Sequence, residues 1–200
     1  MARPPRPTAF YSFVALVSWP LLRLAFRYRA DGAEHLPADG GYVLAAGHVS
    51  NLDPWALGLA LWPRRFLRFM AKSELFWFPL GQIASAAGAF KVHRGRADRD
   101  AIDTAIRLAQ EGHVIAMFPE GTRRRKGLRK KYEAQAHTGA ARIAIEAGVP
   151  LVPAGIKGTN GLRRLERWQV RYGPPVEVSD DPAETTERLM VAIRELEASF

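Results

Sequence analysis

A histidine and an aspartate stand with four residues between them in Gly47-His48-Val49-Ser50-Asn51-Leu52-Asp53-Pro54-Trp55. A carboxylate bonded to one ring nitrogen fixes the imidazole tautomer and raises the basicity of the other nitrogen. Such a pair is a general base able to take a proton from an alcohol. On one straight helix the two side chains would point about 140° apart and never meet. The flanking residues remove that obstacle. Tyr42-Val43-Leu44-Ala45-Ala46 is a continuous apolar run, which predicts a buried strand. Trp55 to Trp62 is apolar apart from Gly58 and predicts a helix, with Asp53 as N-cap and Pro54 in its first turn. Across a strand-turn-helix junction the chain folds back, and imidazole and carboxylate can touch. Each residue alone also has an ordinary reading: Asp53 as a helix cap, His48 as a satisfied histidine at a strand end.

A second constellation is Glu120-Gly121-Thr122-Arg123, which follows the apolar run His113 to Phe118 and Pro119. Glycine lets backbone N–H groups approach an anion, and arginine grips a phosphate with two parallel bonds. Arg94, after another apolar run, offers a second grip. The alternative is that Glu120 and Arg123 simply pair across the turn. Seven of the nine residues from Arg123 to Lys131 are basic. That run reads as a solvated face or loop, or as attraction to headgroups and phosphates. Nucleic-acid binding would add stacking aromatics or a known module, and only Tyr132 stands nearby.

Other chemistries are excluded by pattern. There is no G-x-x-x-x-G-K-[ST] loop, no G-x-G-x-x-G loop and no G-x-S-x-G elbow. His35, His93, His113 and His137 lack metal-ligand spacing with acidic partners. No metal and no resident cofactor is expected. With no cysteine, disulfides, thiolate metal sites and a cysteine nucleophile are ruled out. The formal charge of +9 favours anionic partners: a phosphorylated substrate, an anionic membrane surface or nucleic acid.

The elements that must position these residues are read from periodicity. Two hundred residues, 48% hydrophobic, suffice for one domain with a sizeable core. Residues 1–8 are rich in proline and arginine and are expected to be disordered. Ala9 to Leu22 predicts an amphipathic helix, or a helix pair interrupted at Pro20, lying in a membrane interface with Arg23, Arg27 and Arg29 at the headgroups. The run is too short and too broken to span a bilayer. The alternatives are a first helix packed on the core and, less well supported, a signal peptide. Residues 1–30 are thus expected to form an attachment segment and 31–200 the catalytic domain.

Further strands are expected at Arg27–Ala33, Phe66–Ala71, Ala89–His93, His113–Phe118 and Leu151–Ile156, with an edge hairpin from Gln169–Tyr172 and Val176–Val178. Helices are expected at Ala97–Glu111, Thr138–Ala147 and from Asp181-Pro182 nearly to Phe200. Leu75-Phe76-Trp77-Phe78-Pro79-Leu80 is expected to line a pocket for something oily. Strands alternating with helices predict an α/β domain: one open, twisted, mostly parallel sheet flanked by helices. Such sheets carry ligand sites beyond the strand ends, where His48, Arg94 and Arg123 all fall.

Taken in order, four blocks resemble the glycerolipid acyltransferase family, most closely its 1-acyl-sn-glycerol-3-phosphate acyltransferase branch. They are His48-x4-Asp53, Lys91-Val92-His93-Arg94-Gly95, Phe118-Pro119-Glu120-Gly121-Thr122-Arg123 and Val149-Pro150-Leu151-Val152-Pro153. The likeness runs from about Phe10 to Gly158. Two departures stand out: Gly47, where the family commonly has asparagine, and the basic run after Arg123. The resemblance implies acyl transfer from acyl-CoA or acyl-carrier protein, as co-substrate, to a lysophospholipid hydroxyl at the cytoplasmic face of the membrane. It implies that His48 deprotonates the hydroxyl and that Asp53 orients His48. Arg94, Glu120, Gly121, Thr122 and Arg123 would hold the acceptor phosphate, and Lys72 is a candidate for the developing oxyanion. An acyl-enzyme on Ser50 is a competing route without a supporting pattern. Another lipid acceptor, such as a lyso-ornithine lipid or a glycolipid, and a non-enzymatic binder of anionic membranes or nucleic acid are the alternative functions.

Overall fold

The computed structural model describes residues 5–92, 99–120 and 136–200, and of residues 72, 75, 80 and 92 the backbone alone. Seven strands form one sheet: β1 (Arg29–Asp31), β2 (Tyr42–Ala46), β3 (Leu67–Lys72), β4 (Ala89–Val92), β5 (Val114–Met117), β6 (Leu151–Lys157) and β7 (Gln169–Tyr172). Their order across the sheet is β1-β7-β6-β2-β5-β3-β4. The run β6-β2-β5-β3-β4 is parallel throughout, and β7 lies antiparallel to β6 with β1 parallel to β7. The expected mostly parallel sheet is therefore the observed one.

Among the described residues six α-helices flank it: α1 (Ala9–Ala25), α2 (Asp53–Leu59), α3 (Leu80–Ala86), α4 (Arg99–Gln110), α5 (Gly139–Ala147) and α6 (Pro182–Ala198). Strand side chains alternate between two cores, as the two-residue period of a strand requires. On one face Tyr42, Leu44 and Ala46 of β2 pack with residues of α1 and α2. On the other, Val43 and Ala45 pack with residues of α4, α5 and α6. Strand β2 is buried at every residue, so the turn that follows it starts from a rigid base. Helix α2 is tied down as well. The buried phenols of Tyr28 and Tyr172 donate to the carbonyls of Ala56, at 2.8 Å, and Leu57, at 2.6 Å. Burial pushes both phenols above their ordinary pKa, so they remain protonated donors.

Several expectations need correction. Pro20 does not interrupt the first helix; α1 runs through it as one helix. Proline costs a helix one N–H bond, and here Tyr11, Ala15 and Leu22, spaced four and seven apart, pack that helix on the core. The outer face of α1 is apolar yet exposed, with Phe13, Leu16, Val17, Leu21 and Leu24 all more than half exposed. No helix among the described residues is long and apolar enough to cross a membrane. The expected edge hairpin is absent. Val176 bonds instead to Leu151, so residues 169–176 follow one side of β6, broken at Pro174-Pro175, which have no N–H to contribute to the ladder. Helix ends match their signals more closely. Asp181 caps α6 by accepting from Ala183 N, and Gly148 ends α5 at φ 64°.

Candidate active site

The turn after β2 and the first residue of α2 meet as the spacing predicts. His48 Nδ1 lies 2.8 Å from Asp53 Oδ2. The same oxygen accepts from the backbone N–H groups of Val49, at 2.7 Å, and Ser50, at 2.8 Å. Asp53 is nevertheless not the N-cap that the sequence suggested: Leu52 holds that position and Asp53 is helical. Its carboxylate reaches back to the turn rather than forward to the helix. That reversal is what brings it to the imidazole. Asp53 is fully buried, and the His48 side chain is 18% exposed. A buried carboxylate requires donors, and three have been named. A fourth comes from Thr159, whose hydroxyl donates to Asp53 Oδ1 at 2.6 Å. With Nδ1 committed to Asp53 as donor, the imidazole offers Nε2 as its proton acceptor.

Phe118 stacks on the His48 ring, with centroids 4.2 Å apart and planes 25° from parallel. It follows β5, the neighbour of β2, so the Phe-Pro-Glu block reaches the His48 turn through its first residue. Glu120, two residues on, is 5% exposed. Ser50 is engaged locally: its Oγ accepts from Leu52 N at 3.2 Å. A Cβ at Gly47 would stand 2.1 Å from Oε1 of Glu197, the end of an α6 side chain. A larger residue at 47 therefore requires that this carboxylate swing aside.

The other expected site residues divide by position. Lys72 is the last residue of β3, at the same end of the parallel sheet as His48, and its side chain lies outside the described residues. Arg94, Gly121, Thr122 and Arg123, and the rest of the basic run to Lys131, lie outside the described residues altogether. The chain enters both segments from that sheet end, after β4 and β5. Thr159 and Phe118, which touch the pair, were not singled out individually from the sequence. Phe118 is the first residue of the Phe-Pro-Glu-Gly-Thr-Arg block. Thr159 follows a parallel strand, which was the available signal.

Two hollows lie near apolar residues. One, of about 100 Å³, is lined by Tyr11, Asn51, Pro54, Trp55, Leu67, Phe69 and Ala87, and so adjoins the His48–Asp53 turn at Asn51 and Pro54. The other is an open groove of about 510 Å³ lined by Phe76, Trp77, Phe78, Gly81, Gln82 and Ser85. The aromatic segment expected to meet something oily therefore does line a groove. No cluster of three or more potential metal ligands occurs among the described residues.

A family model described as Acyltransferase matches residues 27–157. A 1-acyl-sn-glycerol-3-phosphate acyltransferase of Bacillus subtilis (strain 168) is 32% identical over 201 residues, covering 94% of this chain and 96% of that one. A protein of the same description from Streptococcus pneumoniae (strain ATCC BAA-255 / R6) is 28% identical over 200 residues, covering 96% and 72%. Among solved structures, the 1-acyl-sn-glycerophosphate (LPA) acyltransferase PlsC of Thermotoga maritima superposes with a TM-score of 0.63 at 22% identity, covering 95% of this chain and 93% of that one.

Proposed function

The chain belongs to the acyltransferase family, and from that premise we propose that it acylates the free hydroxyl of 1-acyl-glycerol-3-phosphate to give phosphatidic acid. The donor is a thioester, acyl-CoA or acyl-carrier protein. The observation that carries this reading is the 2.8 Å bond between His48 Nδ1 and Asp53 Oδ2 beyond the end of β2. His48 Nε2 takes the proton of the acceptor hydroxyl. The oxygen attacks the thioester carbonyl, the C–S bond breaks, and the thiolate leaves with the proton held by His48. Asp53 stabilises the imidazolium between these steps.

Arg94, Glu120, Gly121, Thr122 and Arg123 hold the acceptor phosphate and so hold the hydroxyl for attack. Lys72 is the candidate for stabilising the negative charge that develops on the carbonyl oxygen. The names of the Bacillus and Streptococcus relatives support this acceptor. The +9 charge supports an anionic one. Residues 1–30 attach the 31–200 catalytic domain to the cytoplasmic face of the membrane without spanning it. The exposed apolar face of α1 supports that attachment, as do Trp77 and Phe78, 59% and 77% exposed.

The test is purified protein supplied with labelled acyl-CoA or acyl-carrier protein and a panel of lysolipids, read by product mass. Phosphatidic acid from lysophosphatidic acid is the expected product. Acylation of a lyso-ornithine lipid or glycolipid in its place would overturn the acceptor assignment.

A further inference from the structure

The block Val149-Pro150-Leu151-Val152-Pro153 contains no group that can do acid-base or nucleophilic chemistry, yet the strand it opens ends at the catalytic pair. From β6 the chain passes through Gly158, at φ 88°, where a Cβ would stand 2.0 Å from the carbonyl oxygen of Arg167. Glycine alone takes that turn without strain. The turn buries Thr159 completely and brings its hydroxyl to Asp53 Oδ1 at 2.6 Å. This is not the oxygen that His48 and the two backbone amides share. A hydroxyl facing an ionised carboxylate can only donate to it. A carboxylate anchored at one oxygen still swings about that oxygen. A second anchor at the other oxygen fixes its plane, and with it the direction of the lone pair offered to the imidazole.

We propose that Thr159 is a positioning residue for the proton transfer: it sets the plane of the Asp53 carboxylate and through it the aim of His48. This rests on the reading of His48 as the general base. It also gives the fourth block a task, that of carrying a hydroxyl from a neighbouring strand to an acid 106 positions away in sequence.

Thr159→Val keeps the shape and removes the donor, and Thr159→Ser keeps the donor. With lysophosphatidic acid and acyl-CoA, Thr159→Val lowers kcat by about 10- to 100-fold and leaves both KM values within about twofold. Thr159→Ser stays within about threefold of the wild-type kcat. In a His48→Ala background the valine causes no further loss, because there is no base left to aim. Should Thr159→Val fail to fold, Thr159→Ala is read by the same comparisons. Unchanged kcat in the donor-free variant, beside an inactive His48→Ala enzyme, overturns this inference and leaves the proposed function standing. Equal impairment in serine and valine variants also overturns it, since packing rather than the hydroxyl is then responsible. Activity retained in His48→Ala sinks the parent reading instead.

Discussion

At the scale of single residues, the Asp53 carboxylate is held from both of its oxygens. Two oxygens receive four donors, from His48, Val49, Ser50 and Thr159. Asp53→Asn must turn its NH2 toward one set of those donors. The account predicts a kcat loss of about 10²- to 10⁴-fold. It also predicts a stability loss of about 1–3 kcal/mol from the buried donors left unpaired, read by denaturant titration of the same variant. Phe118→Ala removes the ring against which His48 stacks. It is expected to lower kcat by about tenfold with the fold intact, because a loosened base loses its alignment. The pair itself was legible in the sequence because its two members are near neighbours joined by a turn with strong local signals. Thr159 was not, since nothing local in Lys157-Gly158-Thr159 says which strand lies alongside.

At the scale of elements, α6 has a role its sequence did not announce. Its Glu197 occupies the space beside Gly47. Because that neighbour is the movable end of a side chain, Gly47→Asn is expected to push it aside at a cost of about 1 kcal/mol or less, and Glu197→Ala in the same chain to remove that cost in a melting experiment. Strands read locally were largely right, and two helix ends were, while the cap expected at Asp53 falls at Leu52. Tyr42–Ala46 was predicted to the residue, and Asp181 and Gly148 bound their helices as expected. The hairpin at residues 169–178 was wrong because pairing is a non-local choice, and two prolines hid one interrupted strand as two.

At the far end of the parallel strands, before β5, His113 is held below its ordinary value of 6.5, first by burial and then by the Arg68 guanidinium, with Glu111 opposing. The unfolded chain then binds a proton that the folded chain refuses. Stability is full above pH about 6.5 and falls as pH drops below it. His113→Gln should flatten that fall between pH 7 and 5 in thermal melts. An unchanged slope would contradict the assignment.

At the scale of the whole molecule, the architecture collects chemistry at one edge. The parallel strands β6, β2, β5, β3 and β4 all end on the same side. From that side come Thr159, His48, Phe118, Lys72 and the chain leading to Arg94. This much follows from alternating strands and helices, and the sequence conveyed it. What it conveyed less well is the double role of α1, which packs Tyr11, Ala15 and Leu22 inward and leaves Phe13, Leu16 and Leu24 outside. A period of 3.6 with apolar residues on both faces does not reveal which face finds the core. Phe13→Asp with Leu24→Asp is expected to release the protein from anionic vesicles in a sedimentation assay while leaving melting nearly unchanged.

In the proposed reaction one imidazole, held by Asp53, activates the lipid hydroxyl. The most direct measurement is the turnover of lysophosphatidic acid and labelled acyl-CoA by folded His48→Ala protein. The account predicts a kcat lower by about 10²- to 10⁴-fold, with vesicle binding unaltered. Turnover within a few-fold of the wild-type value would contradict it.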